Sequence, residues 1–131
     1  MILVDTSVWI DYFNGIENDQ TNSLDQSLSE QSVLVGDIIL AEILRGFDSD
    51  RDFKKAKEAL NHLNYVQLGG KSLAIKAAAN VRFLRSKGVT IRKTVDMLIG
   101  SWCIEHGVEL LHNDKDFNQM AIHLPLKIYT G

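Results

Sequence analysis

The sequence is poor in the residues that stiffen or staple small proteins. Its 131 residues contain one cysteine, Cys103, and one proline, Pro125. A lone cysteine excludes an intrachain disulfide and any zinc site of the usual cysteine-rich kind. Cys103 lies in the apolar run Leu98-Ile99-Gly100-Ser101-Trp102-Cys103-Ile104, where a buried structural thiol is expected. No segment approaches the roughly 20 consecutive apolar residues of a membrane-spanning helix. The opening, Met1-Ile2-Leu3-Val4-Asp5, lacks a basic region and meets an acid at once, so it does not read as a signal peptide. The expected compartment is therefore the cytoplasm, with no membrane partner. There is no repeat, low-complexity tract or linker, and the length fits a single domain over residues 1–131. With 45% hydrophobic and 24% charged residues, the composition is that of an ordinary globular chain.

Acidic residues are missing from one long stretch. The net charge of −3 argues mildly against a nucleic-acid partner, but residues 1–58 hold twelve of the seventeen acids. From Ala59 to Val95 there is none, and that stretch carries Lys71, Lys76, Arg82, Arg85, Lys87, Arg92 and Lys93. A segregated basic zone is the footprint of a phosphate-binding face. The plainer alternative is a solvated helix face.

Short apolar runs alternate with helical patterns. Ile2 to Val4 reads as a buried strand, followed by a helix over Thr6 to Phe13 that Asp5 can cap. A second helix covers about Asp19 to Glu30, with Leu24 and Leu28 on one face. Val33 to Val35 is the next strand. Asp37 can cap a helix through Ile38, Leu40, Ile43 and Leu44 that closes near Gly46. About Asp50 to Leu63 is amphipathic, with Phe53, Ala56 and Leu60 inward. Tyr65 to Leu68 is a short strand or an extended connection. Ser72 to Ser86 places Leu73, Ala77, Val81 and Leu84 on one face and ends at Gly88. Thr94 can cap a helix over Val95 to His106, ended by Gly107. Glu109 to Leu111 is a strand, and Ile128 with Tyr129 forms a last one. This alternation predicts a parallel sheet with helices on both faces, and ligands in such folds sit at the carboxyl ends of the strands.

That rule directs attention to Asp5, at the end of the first strand, and to Asp114 and Asp116, just past the Leu110-Leu111 strand. Glu42 lies on the third helix and Asp96 in the first turn of the Val95–His106 helix. Carboxylates gathered in one pocket raise each other's pKa, and a divalent cation with a preference for hard oxygen ligands offsets that repulsion. A cation held this way can polarise a phosphodiester and activate water. Each acid has a plainer reading. Asp5 is a possible N-cap, Asp96 a helix-dipole partner, and Asp114 and Asp116 turn formers. Glu42 is harder to dismiss, because its neighbours Leu40, Ala41, Ile43 and Leu44 are apolar and a buried unpaired carboxylate is costly.

These residues also carry a resemblance. Met1-Ile2-Leu3-Val4-Asp5-Thr6-Ser7-Val8-Trp9-Ile10 resembles the opening of VapC-type toxins of the PIN-domain superfamily. Leu40-Ala41-Glu42-Ile43-Leu44-Arg45-Gly46, Thr94-Val95-Asp96-Met97-Leu98-Ile99-Gly100 and Leu110-Leu111-His112-Asn113-Asp114-Lys115-Asp116-Phe117 resemble their later motifs. All four occur in the family's order and together span nearly the whole chain. The resemblance implies a compact three-layer α/β/α sandwich around a short parallel sheet. It implies a type II toxin that cleaves RNA, often tRNA, with Mg²⁺ or Mn²⁺, a VapB-type antitoxin partner and a homodimer. Carried over by position, Asp5, Glu42, Asp96 and Asp114 would form the catalytic quartet. Asp5, Asp96, Asp114 and Asp116 would hold metal, with Glu42 orienting metal or water. Thr6 would hold a metal-bound water, while Arg92, Lys93 and Arg85 would contact RNA, Arg92 facing the scissile phosphate or the antitoxin. The alternative is a non-catalytic PIN-like module that binds RNA or regulates; a DNA nuclease of related fold is a third reading.

Two positions depart from the family pattern: His112 stands where Thr or Ser is common, and Gly100 where Ala is common. His112 is either a proton donor or phosphate contact, or a plain surface histidine; Gly100 affects packing only. Other signals carry no function. Gly69-Gly70-Lys71-Ser72 lacks the further glycine of a phosphate-binding loop, Tyr65 standing in its place, and reads as a helix start after a glycine turn. Trp9, Tyr12 and Phe13 read as core or dimer surface, and His62, His106 and His123 show no metal-ligand spacing.

Overall fold

A computed structural model describes residues 1–131. Four strands form one sheet: β1 (Ile2–Val4), β2 (Val33–Gly36), β3 (Asn64–Val66) and β4 (Glu109–Leu111). Their order across the sheet is β3-β2-β1-β4, and every pairing is parallel, with Leu3 opposite both Leu34 and Leu110. Ile2, Leu3 and Val4 are all buried, as a central strand covered on both faces requires. Ile128 extends the sheet only by one parallel bridge to Leu110, so the last strand expected from Ile128 and Tyr129 is a single rung.

The helices are α1 (Thr6–Phe13), α2 (Asp19–Ser29), α3 (Asp37–Leu44), α4 (Asp50–Leu60), α5 (Lys71–Ser86), α6 (Thr94–His106) and α7 (Lys115–His123). Strand order dictates where they go. The chain steps from β1 to β2 to β3 in one direction, and right-handed crossovers put α1 to α4 on one face. It then returns from β3 past β1 to β4, which puts α5 and α6 on the other face. The packing agrees: α1 meets α2 and α3, α3 meets α4, α5 meets α6, and α6 meets α7. The result is the expected three-layer α/β/α sandwich, its core running through Leu3, Trp9, Leu24, Ile39, Leu84, Ile99, Leu110 and Phe117.

Most local expectations hold, and the differences have physical causes. Phe53 was expected inward, yet it is 38% exposed; α4 packs a narrower face, through Ala56 and Leu60. Asp37 is the first residue of α3 and Gly36 its cap; the Asp37 carboxylate instead accepts from the Leu68 amide at 2.9 Å and fixes the connection that follows β3's end. Thr94 likewise opens α6 behind Lys93, which makes no side-chain cap. Gly107 closes α6 at φ 63°, in the left-handed region that glycine alone enters freely. Gly70 caps α5 at φ 88° with no side-chain bond, the glycine-turn start expected there.

Candidate functional site

The sheet order reverses between β1 and β4, and the crevice at such a switch point is where parallel sheets bind ligands. β1 runs directly into Asp5, which caps α1: its Oδ2 accepts from the Ser7 amide at 3.1 Å and the Ser7 hydroxyl at 2.6 Å. Asp5 is 4% exposed. Burial pushes its carboxyl pKa up, the Ser7 bonds pull it down, and the Glu42 charge adds to the rise.

β4 leads through His112 and Asn113 to Asp114, which caps α7 by accepting from the Asp116 amide at 3.0 Å. α6 brings in Asp96 from its first turn. Asp96, Asp114 and Asp116 offer carboxylate oxygens that all lie within 4.8 Å of one another. Asp96 is buried, and its Oδ2 has no hydrogen-bond partner. Burial, then the like charges of Asp5, Asp114 and Asp116, push its pKa up to about 7, with Lys93 opposing. An orphaned buried carboxylate oxygen facing two other acids fits a divalent cation, which supplies the missing partner and offsets the repulsion.

Not all of the remaining candidates gather at this triad. Glu42 sits on α3 and accepts from the Thr6 hydroxyl at 2.7 Å. Thr6 was expected to hold a metal-bound water; its hydroxyl proton is engaged by Glu42 instead. Asp5 is the electrostatic link, since its charge is felt by Asp96 and it feels that of Glu42. Arg92 lines a cleft of about 370 Å³ with Thr90, Lys115 and Asp116. Lys93 acts on Asp96 through its charge. Arg85 is exposed on the last turn of α5, and no hydrogen bond or ion pair ties it to the acids. The basic stretch is thus not one face turned to the site: Lys76 pairs with Glu105 and Lys87 lies over the Phe83 ring at 5.5 Å.

His112 is not the surface histidine that one sequence reading allowed. It is 7% exposed, its ring packs 5.2 Å from Phe117, and its Nδ1 accepts from the Asp114 amide at 3.0 Å. Burial lowers its pKa, against the charges of Asp5 and Asp114, and with an amide as its donor Nδ1 is the acceptor that holds the Asp114 backbone. Its Nε2 is buried without a hydrogen-bond partner, the Asn118 side chain being the polar group near the ring. Cys103 is buried as expected, and burial followed by the Asp5 charge pushes its thiol up to about 12; it is no nucleophile.

Sequence reasoning missed the network that ties β1's end to β4's. The Asn113 amide donates to the Ser7 hydroxyl at 3.0 Å, and that hydroxyl donates to Asp5. The Asn113 side chain donates to Asp11 at 3.1 Å. The one available signal was the Asp-Thr-Ser spacing, a capping pattern in which Ser7 faces back on Asp5; the link to Asn113 spans 106 positions and leaves no local trace.

The chain resembles known proteins along most of its length. The family model described as PIN domain matches residues 2–123. VapC ribonuclease Mb1587 of Mycobacterium bovis and ribonuclease VapC11 of Mycobacterium tuberculosis are each 32% identical over 124 residues, which is 92% of this chain and 92% of theirs. Among solved structures, VapBC2 from Rickettsia felis bound to a promoter DNA fragment superposes with a TM-score of 0.74 at 21% identity, over 98% of both chains. FitAcB from Neisseria gonorrhoeae gives 0.76 at 17% identity, over 98% of this chain and 96% of its own.

Proposed function

The chain belongs to the PIN-domain family, in its VapC-type branch, and from that membership we propose that it is the toxin of a type II toxin–antitoxin pair, a metal-dependent endoribonuclease. The observation that carries the chemistry is the convergence of Asp96, Asp114 and Asp116 around the orphaned Asp96 oxygen. These three acids, with Asp5 beside them, would hold Mg²⁺ or Mn²⁺, which prefer such oxygen donors. The bound ion would supply charge stabilisation for a phosphodiester and an activated water.

The chain's own residues do the rest. Ser7 fixes the Asp5 carboxylate and, through Asn113, the loop that presents Asp114. His112 holds the Asp114 amide. Thr6 orients Glu42, leaving the second Glu42 oxygen as the acceptor closest in role to a general base. Arg92 and Lys115 flank Asp116 and attract the RNA backbone to the acids; Lys93 adds to this charge. Arg85 is outside this contact set and would act on more distant phosphates. Structured RNA, with tRNA foremost, is the proposed substrate, and the cytoplasm the proposed compartment. No helix is long and apolar enough to cross a membrane.

The proposed antitoxin is a VapB-type chain. A groove of about 540 Å³ between the ends of α1 and α3 and the start of α4 mixes apolar Phe13, Phe47 and Ala56 with Asp48, Asp52 and Lys55, two acids against one cation. It suits an apolar segment carrying basic residues. A homodimer is the proposed assembly of the toxin itself.

The test is cleavage of total RNA by purified protein with Mg²⁺, Mn²⁺ or EDTA, beside Asp96→Asn. Metal-dependent cuts by the wild type alone are expected. Equal cleavage by a folded Asp96→Asn protein, or cleavage in EDTA, would overturn the assignment.

A further inference from the structure

Two clefts meet at Lys115, and their linings differ in chemistry. The first, with Thr90, Arg92, Lys115 and Asp116, sets two cations against one acid and suits a phosphate. The second, of about 500 Å³, has Asp19 and Asp114 against Lys115 alone, so phosphate is disfavoured there. Its lining residues include three primary amides, Gln20, Asn113 and Asn118, and the aromatic Tyr129. Primary amides offer both donors and acceptors, the complement of a nucleobase edge, and an aromatic ring offers a stacking face. The volume falls within the roughly 300–1,000 Å³ of small-ligand sites.

The cleft is also built rather than incidental. Its tail wall is fixed because the Leu110 amide donates to Lys127 at 2.9 Å and the Tyr129 amide to Leu110 at 2.8 Å. Its lining includes buried His112, whose ring packs on Phe117. Asn113 is held by Ser7 and Asp11, which take its backbone and side-chain N–H groups and leave its side-chain carbonyl as an acceptor. Asp114 belongs both to the carboxylate triad and to this cleft.

We propose that the Gln20–Asn118–Tyr129 cleft is a base-binding subsite that seats one unpaired RNA base next to the cleaved phosphate and so sets where this chain cuts. It rests on the ribonuclease reading above. The strand would lay a phosphate against Arg92 and Lys115 and turn the neighbouring base inward, stacked on Tyr129 with its edge against the amides. Single-stranded loops provide such splayed bases.

Two measurements test it. The first sequences the new ends in total RNA cut by wild type, Tyr129→Ala and Asn118→Ala, each checked for folding by circular dichroism and for Mn²⁺ affinity by calorimetry. Wild type should show one base enriched at one position beside the cut. Both variants should lose about five-fold or more of that enrichment, the low end of what one stacked base is worth, with Mn²⁺ affinity unchanged. Unchanged enrichment in both variants overturns the proposal. The second measures binding of non-cleavable 2′-O-methyl tetramers of A, C, G and U. Discrimination by wild type that Tyr129→Ala abolishes supports the cleft, even if no RNA is cut, an outcome that would sink the nuclease reading alone. Equal binding of all four tetramers by wild type overturns the cleft and leaves the nuclease reading standing.

Discussion

Asp96 concentrates the conflict at the heart of the site. Its carboxyl is pushed up to about 7 by burial and by the charges of its neighbours, against an ordinary value near 4. The folded state therefore holds this proton more tightly than the unfolded chain does. The stability it confers is full below about pH 4 and is lost as pH rises through 7. Asp5, also shifted upward, acts in the same direction. Urea unfolding of the metal-free protein in EDTA between pH 4.5 and 7.5 should show stability falling with pH, and Asp96→Asn should flatten that slope. A variant as steep as wild type would place the titration elsewhere. Cation binding at pH 6 should release close to one proton, because the ligand must ionise; calorimetry in buffers of different ionisation enthalpy reads that number.

His112 offers a second measurement on a single side chain. Its Nδ1 is the acceptor for the Asp114 amide, and an amide left without one inside the protein costs about 1–3 kcal/mol. His112→Leu should lose about that much stability in thermal melts and weaken Mn²⁺ binding, since Asp114 is no longer held. In His112→Asn the side-chain oxygen can take over the acceptor's place, and this variant should recover part of both losses. Equal effects of Leu and Asn would mean that the ring's bulk against Phe117 matters and its nitrogen does not.

Among the elements, legibility followed locality. β1 and β2 were plain in the sequence because a strand covered on both faces leaves an unbroken apolar run, as Ile2-Leu3-Val4 and Val33-Leu34-Val35 do. α5 and α6 were plain because their apolar spacing and closing glycines are local signals. β3 was left as strand or connection because Asn64 and Tyr65 are exposed at the sheet edge, and an edge strand lacks the two-sided burial that marks the inner strands β1 and β2. Phe53 was misplaced because a narrow helical stripe cannot be aimed without its neighbours. Gly36 hides a constraint of the same non-local kind: a Cβ there would lie 2.2 Å from Leu68 Cδ1 and 2.8 Å from its Cγ. Leu68 is fully buried and has no room to retreat. Gly36→Ala should therefore destabilise the protein by about 1–3 kcal/mol, the usual cost of overpacking, seen as a lower melting temperature. An unchanged melt would mean that the β2–α3 junction adapts more easily than its packing suggests.

For the whole molecule, the sequence made the acids visible and left their wiring dark. Asp5, Asp96 and Asp114 stand at element ends, where a parallel sheet gathers ligands, so topology alone brings them together. The bonds of Ser7 to Asn113 and Thr6 to Glu42 cross the layers, and no periodicity records them. That wiring has a consequence for inhibition. α1 carries Thr6 and Ser7 at its start and Phe13 at its end, and α3 carries Glu42 two residues before it closes, with Phe47 just beyond. The groove around Phe13 and Phe47 is thus joined to the acids by two short rigid helices, yet it shares no residue with the carboxylate triad. Phe47 packs edge-on to Phe13 at 5.6 Å and presents the centre of an apolar anchor site, the place where truncation costs most in an interface, often 2 kcal/mol or more. Phe47→Ala should weaken antitoxin binding by roughly thirty-fold or more, while Mn²⁺ affinity and RNA cleavage by the free protein stay near wild type. Titration of inhibition with purified antitoxin separates the outcomes: a variant that cuts RNA but resists inhibition places the partner in this groove, and one inhibited as tightly as wild type moves it to another surface.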